Sequence, residues 1–200
     1  MNVYVETNFI LELAFMQEQH ESCLQLLELC RANKINVLIP AYSLVEPYET
    51  MIRSDKKRKR LTEELNTELK QLGRSQSYSE QVNMLQDLAS FLLRTREDQK
   101  QRLENTITQL VQLAEIIPLD GEIIRAAVSG QTELDLTPQD SVVYASVLSH
   151  ISNINSRNNC FLNRNRKDFN TPDITNNLAS YNCQVLFSFE SGLDYILSQI

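Results

Sequence analysis

Short segments rich in β-branched residues alternate along this chain with longer segments whose apolar residues recur at helical spacing. The short segments are 2–5, 36–39, 116–118, 159–162 and 184–187, and the helical segments include 10–14, 24–30 and 142–148. Strands that alternate with helices form a mainly parallel sheet with helices on both faces. The sequence therefore predicts an α/β fold in which a central, mainly parallel sheet of five short strands is flanked by helices, as in three-layer Rossmann-like proteins.

Capping residues mark three helix starts. Thr137 and Thr171 each precede a proline, and Ser188 precedes the last apolar segment. A hydroxyl at the N-cap accepts a hydrogen bond from a backbone N–H that the helix leaves free, and proline suits the first helical position. We therefore expect helices to start close to these three positions.

The segment 54–114 differs from the rest of the chain. It has no proline and one glycine, Gly73, and is rich in Glu, Lys, Arg, Gln and Leu. It carries three apolar stripes, Leu61/Leu65/Leu69/Leu72, Leu85/Leu88/Leu92 and Leu103/Ile107/Leu110/Leu113. The polar stretch 73–79 is the expected turn. We therefore predict a single domain over 1–200, with 54–114 inserted in one crossover as a helical hairpin.

The charge balance gives no general attraction to nucleic acid. With 26 acidic and 19 basic side chains, the net charge is -7. Phosphate binding would have to come from bound cations or from local basic clusters such as 56–60 (KKRKR). A solvated helix face is the commoner explanation of such a run.

The cysteines and the hydropathy of the chain indicate the cellular compartment to expect. Cys23, Cys30, Cys160 and Cys183 show neither C-x-x-C spacing nor the density of a disulfide scaffold, which favours a reducing cytoplasm. Glu6 lies where a signal peptide would carry a basic segment and an apolar core, and no apolar run is long enough to span a bilayer. We expect a cytoplasmic protein.

Several common chemistries lack their motifs. His20 and His150 are the only histidines and have no zinc-site spacing, which argues against zinc catalysis. No P-loop, G-x-G-x-x-G or G-x-S-x-G motif is present, and the chain has only 4 glycines. Nucleotide-cofactor enzymes are therefore disfavoured.

Four acids stand at the ends of predicted strands or in the first turns of predicted helices. Glu6 ends the first strand, Glu46 lies one or two turns into the helix after the second, Asp140 opens a helix, and Asp168 follows the fourth strand. Because ligands of parallel sheets bind at the carboxyl ends of the strands, we expect these acids to converge. Each also has an ordinary explanation as a helix-terminal, turn or exposed acid, and Asp135 competes with Asp140.

The segments VYVETN, SLVEPY, TPQDS and FLNRNRKDF resemble the successive motifs of PIN-domain nucleases, at both ends of the chain but not in its middle. The resemblance implies a PIN-like fold and a metal-dependent endoribonuclease that hydrolyses RNA phosphodiester bonds. It implies that Glu6, Glu46, Asp140 and Asp168 are catalytic and hold Mg²⁺ or Mn²⁺, with Asn165 as an additional ligand. Carboxylate oxygens suit these hard ions.

The same resemblance suggests partners and substrate contacts. The candidate substrate-binding residues are Asn8, Asn163, Arg164, Arg166 and Lys167. The run 56–60 is a further candidate for contact with RNA phosphates, and the hairpin is an alternative site for a partner protein. The resemblance implies RNA as substrate, an antitoxin protein as partner if the chain is the toxin of a toxin–antitoxin pair, and a second copy in a homodimer.

Two departures from the family pattern motivate an alternative. The first acid is Glu6, one methylene longer than the usual Asp, and the hairpin is absent from small family members. The alternative hypothesis is a catalytically impaired PIN-like module that binds RNA or protein. The third hypothesis is an α/β protein without a metal site, in which these acids only cap helices.

Overall fold

The computed structural model describes residues 1–154 and 158–200, with all of their side chains except those at 76, 79–81, 83, 84, 86, 87, 89, 90 and 93. In these ranges the sheet has five strands: β1 (Asn2–Val5), β2 (Asn36–Pro40), β3 (Glu115–Ile117), β4 (Asn159–Leu162) and β5 (Cys183–Leu186). All pair in parallel, in the order β3-β2-β1-β4-β5. The predicted α/β fold is confirmed.

Helices connect the strands. In the described ranges they are α1 (Thr7–Phe15), α2 (His20–Arg31), α3 (Ala41–Leu72), α4 (Ser79–Leu113), α5 (Gly121–Leu134), α6 (Pro138–Asn153), α7 (Arg166–Phe169), α8 (Pro172–Ser180) and α9 (Phe189–Gln199). The side chains of Thr137, Thr171 and Ser188 cap α6, α8 and α9, which confirms the three predicted helix starts. None of the described helices is long and apolar enough to cross a membrane.

Each central strand buries side chains on both faces of the sheet. Val3 and Val5 of β1 pack with apolar residues of α1, α2, α4 and α9, whereas Tyr4 packs with residues of α6 and α8 on the other face. This two-sided burial explains why the strands are apolar runs without polar alternation. Two hydrophobic cores therefore sandwich the sheet.

The long helices α3 and α4 form a hairpin whose apolar residues are only partly buried. Near the sheet, Leu103 and Leu110 are fully buried in the core. Toward the turn, Leu69 and Val82 are buried, whereas Leu61 and Leu85 are exposed. The helical segment begins at Ala41, directly after β2, so the hairpin continues the helix that carries Glu46 and does not start as a separate unit at 54.

The strand order creates a crevice at the carboxyl end of β1. The chain passes from β1 through β2 to β3 on one side, and then returns to place β4 and β5 on the other side. Connections that leave a central strand in opposite directions open a crevice at its carboxyl end, where ligands of α/β proteins bind. The residues that follow β1 and β4 lie at this crevice.

Candidate active site

A cleft with a volume of about 640 Å³ opens where β1 and β4 end and where α1, α3 and α6 begin. Its charged lining residues are the acids Glu6, Glu46, Glu49 and Asp140 and the cations Arg53 and Arg164. Three of the four predicted acids thus come from distant parts of the sequence to one cleft.

Glu6 caps the N-terminus of α1 and is the most buried acid of the cleft, at 7% exposed. Its Oε2 accepts a hydrogen bond from the backbone N–H of Asn8 at 3.0 Å. Its Oε1 is buried and has no hydrogen-bond partner among the described residues. The pKa of Glu6 is raised to about 7, chiefly by burial and to a smaller extent by the nearby Glu46 carboxylate, while hydrogen bonds from Asn8 and from the backbone of Arg164 oppose the shift.

Glu46 lies in the second turn of α3 and is half-buried. Its Oε2 accepts a hydrogen bond from the Thr7 hydroxyl. Burial and the charges of Asp140 and Glu49 raise the pKa of Glu46, whereas the Thr7 hydrogen bond and Arg53 lower it. The carboxylates of the cleft therefore repel one another.

Asp140 lies in the first turn of α6, where Thr137 holds it. The Thr137 hydroxyl donates to Asp140 Oδ2 at 2.5 Å and accepts from the backbone N–H of Asp140 at 3.1 Å. The other carboxylate oxygen, Oδ1, accepts from Asn165 Nδ2 at 3.2 Å. Its competitor Asp135 caps the C-terminus of α5 with φ 51° and does not line the cleft.

The fourth predicted acid, Asp168, lies outside the cleft and contacts it through Asn165. Asp168 is half-buried on α7 and does not line the cleft. Its Oδ2 accepts from Asn165 Nδ2 at 2.8 Å, so one amide group bridges Asp140 and Asp168. Asn165 presents its nitrogen to both acids, and its oxygen is not the atom that faces them.

The predicted substrate-binding residues fall into two groups. Asn8 and Arg164 line the cleft. Asn163 is only 2% exposed and its Oδ1 accepts from the backbone N–H of Asn165 at 2.6 Å, which makes it a turn residue after β4. Arg166 and Lys167 are exposed on α7 outside the cleft.

Sequence reasoning missed several residues of the cleft. Glu49, Thr50 and Arg53 follow Glu46 at intervals of three, four and seven, so they share its face of α3. Helical periodicity could have found them. Val45, which precedes Glu46, is 60% exposed and lies on the outer side of α3.

The donor set of the cleft fits a hard divalent cation in its chemistry. It offers carboxylate oxygens, including the unpartnered Glu6 Oε1, and a cation would relieve their mutual repulsion. In the described part of the chain, however, no three His, Cys, Asp or Glu side chains lie close enough together to hold a metal ion.

Comparison with known proteins identifies the family of the chain. No curated protein is significantly similar to the chain. The sequence profile of the PIN domain matches residues 3–169, from β1 to α7, and this range includes the hairpin and all four predicted acids. The chain therefore belongs to the PIN domain family, whose members are generally nucleases.

Proposed function

We propose that this protein is a metal-dependent endoribonuclease that hydrolyses RNA phosphodiester bonds in the cleft. The observation that carries the proposal is the convergence of Glu6, Glu46 and Asp140 on one cleft at the carboxyl end of the parallel sheet. Carboxylates that lie close enough to repel one another and to raise one another's pKa values are typical of functional sites.

Glu6, Glu46 and Asp140 would hold Mg²⁺ or Mn²⁺. When bound, the cation supplies an activated water and offsets charge on the scissile phosphate. Asp168 and Asn165 would act on this site through Asp140, to which Asn165 is hydrogen-bonded. Groups that orient a metal ligand in this way tune its affinity.

The remaining polar residues of the cleft orient these acids and bind phosphate. Thr7 holds the Glu46 carboxylate and Thr137 holds that of Asp140. Arg53 and Arg164 are the cations of the cleft and would bind the RNA backbone beside the acids. The lining of the cleft therefore carries two cations beside its four acids.

The biological setting is part of the proposal. Cys23, Cys30, Cys160 and Cys183 are all free and buried, as expected in a reducing cytoplasm. Within that compartment we propose the role of a toxin in a toxin–antitoxin pair, with an antitoxin protein as partner and a homodimer as the assembly. Growth of a host that expresses the protein, compared with growth of a host that expresses Asp140→Asn, tests this role.

The decisive experiment combines metal binding with RNA cleavage. Wild-type protein, Glu46→Gln and Asp140→Asn are titrated with Mn²⁺ by calorimetry, and cleavage of a labelled single-stranded RNA is followed with Mn²⁺ or with EDTA. We expect saturable binding and Mn²⁺-dependent cleavage that both substitutions abolish. Asp135→Asn is the matched control, because it removes one nearby carboxylate outside the cleft and asparagine tolerates its positive φ.

A different result would favour the alternative function. The longer Glu6 side chain in place of Asp motivates an RNA-binding or protein-interaction module without catalysis. RNA binding without metal-dependent cleavage, in wild type and in Glu6→Asp alike, would support that module and overturn the nuclease proposal.

A further inference from the structure

Helix α3 carries a line of cations that begins in the cleft. Arg53, Lys57 and Arg60 follow one another at spacings of four and three, so they lie on one face of the helix. All three are exposed. We call these three residues the basic stripe.

The basic stripe is continuous with the lining of the cleft. Glu46, Thr50 and Arg53 all line the cleft and share one helix face. The charge of Arg53 lowers the pKa of Glu46, so its guanidinium lies within electrostatic reach of the acids. Because α3 runs to Leu72, the same face continues outward to Lys57 and Arg60.

Packing against α4 fixes which face of α3 points outward. Met51 and Thr62 are buried on the opposite side of the helix. On that side Asp55 pairs with Arg96 at 2.7 Å, and Arg58 donates to Gln99 at 2.6 Å. The hairpin therefore holds the basic stripe toward solvent.

Of the three cations of the basic stripe, Arg60 is the one that forms an ion pair with a described residue. Arg53 and Lys57 form no ion pair with any described residue, and Arg60 pairs with Glu64 at 2.8 Å on an exposed surface. Such exposed pairs contribute little free energy and exchange readily. In a protein of net charge -7, the stripe is a local site of attraction for a polyanion beside an acidic cleft.

We propose that the basic stripe binds the phosphate backbone of single-stranded RNA and guides the strand into the cleft; this rests on the proposed function. Arg60 lies seven positions after Arg53 along the helix, which is about 10 Å at a rise of about 1.5 Å per residue. Phosphates of a stacked strand rise by about 3.4 Å each, so the stripe spans about three of them. The hairpin thereby extends the substrate site beyond the cleft.

The test compares two double variants of equal charge. Lys57→Gln with Arg60→Gln removes the outer stripe, whereas Lys59→Gln with Lys70→Gln removes two exposed cations from another side of the same helix. Each pair is introduced into Asp140→Asn protein, and affinity for fluorescein-labelled oligouridylate is measured by anisotropy in EDTA over a range of salt. Glutamine keeps the helix propensity, and circular dichroism checks folding.

We expect the stripe variant to lose affinity about tenfold near 0.1 M salt and to reduce the slope of log K against log salt by roughly 1.4, since each phosphate contact on a single strand contributes about 0.7. The control pair should change the slope by less than half as much. Equal slopes for both pairs would overturn the proposal. So would displacement of the RNA by polyglutamate as readily as by unlabelled polyuridylate, because this would indicate an acidic protein partner.

Cleavage assays separate this proposal from the proposed function. On the wild-type background, Lys57→Gln with Arg60→Gln should still cleave a short oligonucleotide that occupies only the cleft, while its KM for long RNA rises. In one outcome, wild-type protein cleaves no RNA while Lys57→Gln with Arg60→Gln still reduces the slope of log K against log salt. That result would support RNA binding by the basic stripe and would contradict the catalytic function.

Discussion

Glu12 of α1 and Arg164, which follows β4, form an ion pair across 152 residues of sequence. The Glu12 side chain is 1% exposed and that of Arg164 is 33% exposed. Glu12 Oε2 also accepts from the backbone N–H of Gln19 at 2.8 Å, and Gln19 Oε1 accepts from the N–H of Phe189 at 2.6 Å. The buried Glu12 carboxylate thus connects the segment after β4 with the loop between α1 and α2, and the Gln19 side chain extends this network to the start of α9.

We expect Arg164→Gln to lower the free energy of unfolding by about 2–3 kcal/mol, because it leaves the Glu12 carboxylate buried without a cation. Urea unfolding at neutral pH measures this. Arg125→Gln is the control: Arg125 pairs with Glu122 at 4.0 Å on the surface, and its loss should change stability by less than about 0.5 kcal/mol. The double variant Glu12→Gln with Arg164→Gln should be more stable than Arg164→Gln alone; a further loss would contradict this explanation.

The buried Glu6 predicts how stability depends on pH. Its pKa is raised from the ordinary value of 4.5 to about 7, so the folded protein keeps a proton that the unfolded chain has already lost. Stability is therefore greatest below pH 4.5 for this group and falls as pH rises to about 7, by about 3 kcal/mol. In EDTA, Glu6→Gln should remove this dependence, and urea unfolding at several pH values measures it. Parallel curves for the two proteins would show that Glu6 is not responsible.

The two predicted acids joined by Asn165 should differ in their effect on metal affinity. Asp140 lines the cleft, whereas Asp168 reaches it only through the Asn165 amide. We expect Asp140→Asn to abolish saturable Mn²⁺ binding and Asp168→Asn to weaken it about tenfold, as for a group that orients a ligand. Calorimetric titration distinguishes them. An Asp168→Asn loss as large as that of Asp140→Asn would place Asp168 on the metal itself.

A glycine of α9 sets the distance between this helix and β4. A Cβ at Gly192 would lie 2.5 Å from Leu162 Cδ2, and Leu162 is fully buried. We expect Gly192→Ala to destabilise the protein by about 1–3 kcal/mol through overpacking. At Gly130, inside α5, a Cβ would meet nothing closer than 3.8 Å. Gly130→Ala should instead stabilise by up to about 1 kcal/mol, and thermal unfolding of both variants should show opposite signs.

Local signals in the sequence were sufficient to locate most strands and several helix starts. The strands at 2–5 and 159–162 and the capped starts of α6, α8 and α9 lie at the predicted positions, and β3 and β5 begin one residue earlier than predicted. Capping, β-branched runs and helical periodicity depend on residues that are near neighbours along the chain. The start of the hairpin was less visible, because nothing near residue 54 separates it from the helix that begins at Ala41.

By itself, then, the sequence determined that this chain builds a parallel α/β sheet, and its motifs indicated the PIN family. Tertiary structure alone decided that Glu6, Glu46 and Asp140 share a cleft. It also decided that Asp168 contacts Asn165 outside this cleft and that Asn163 is buried. The reason is physical: strand order, crossover direction and side-chain rotamers set the distances between residues far apart in the chain, and no local pattern contains those distances.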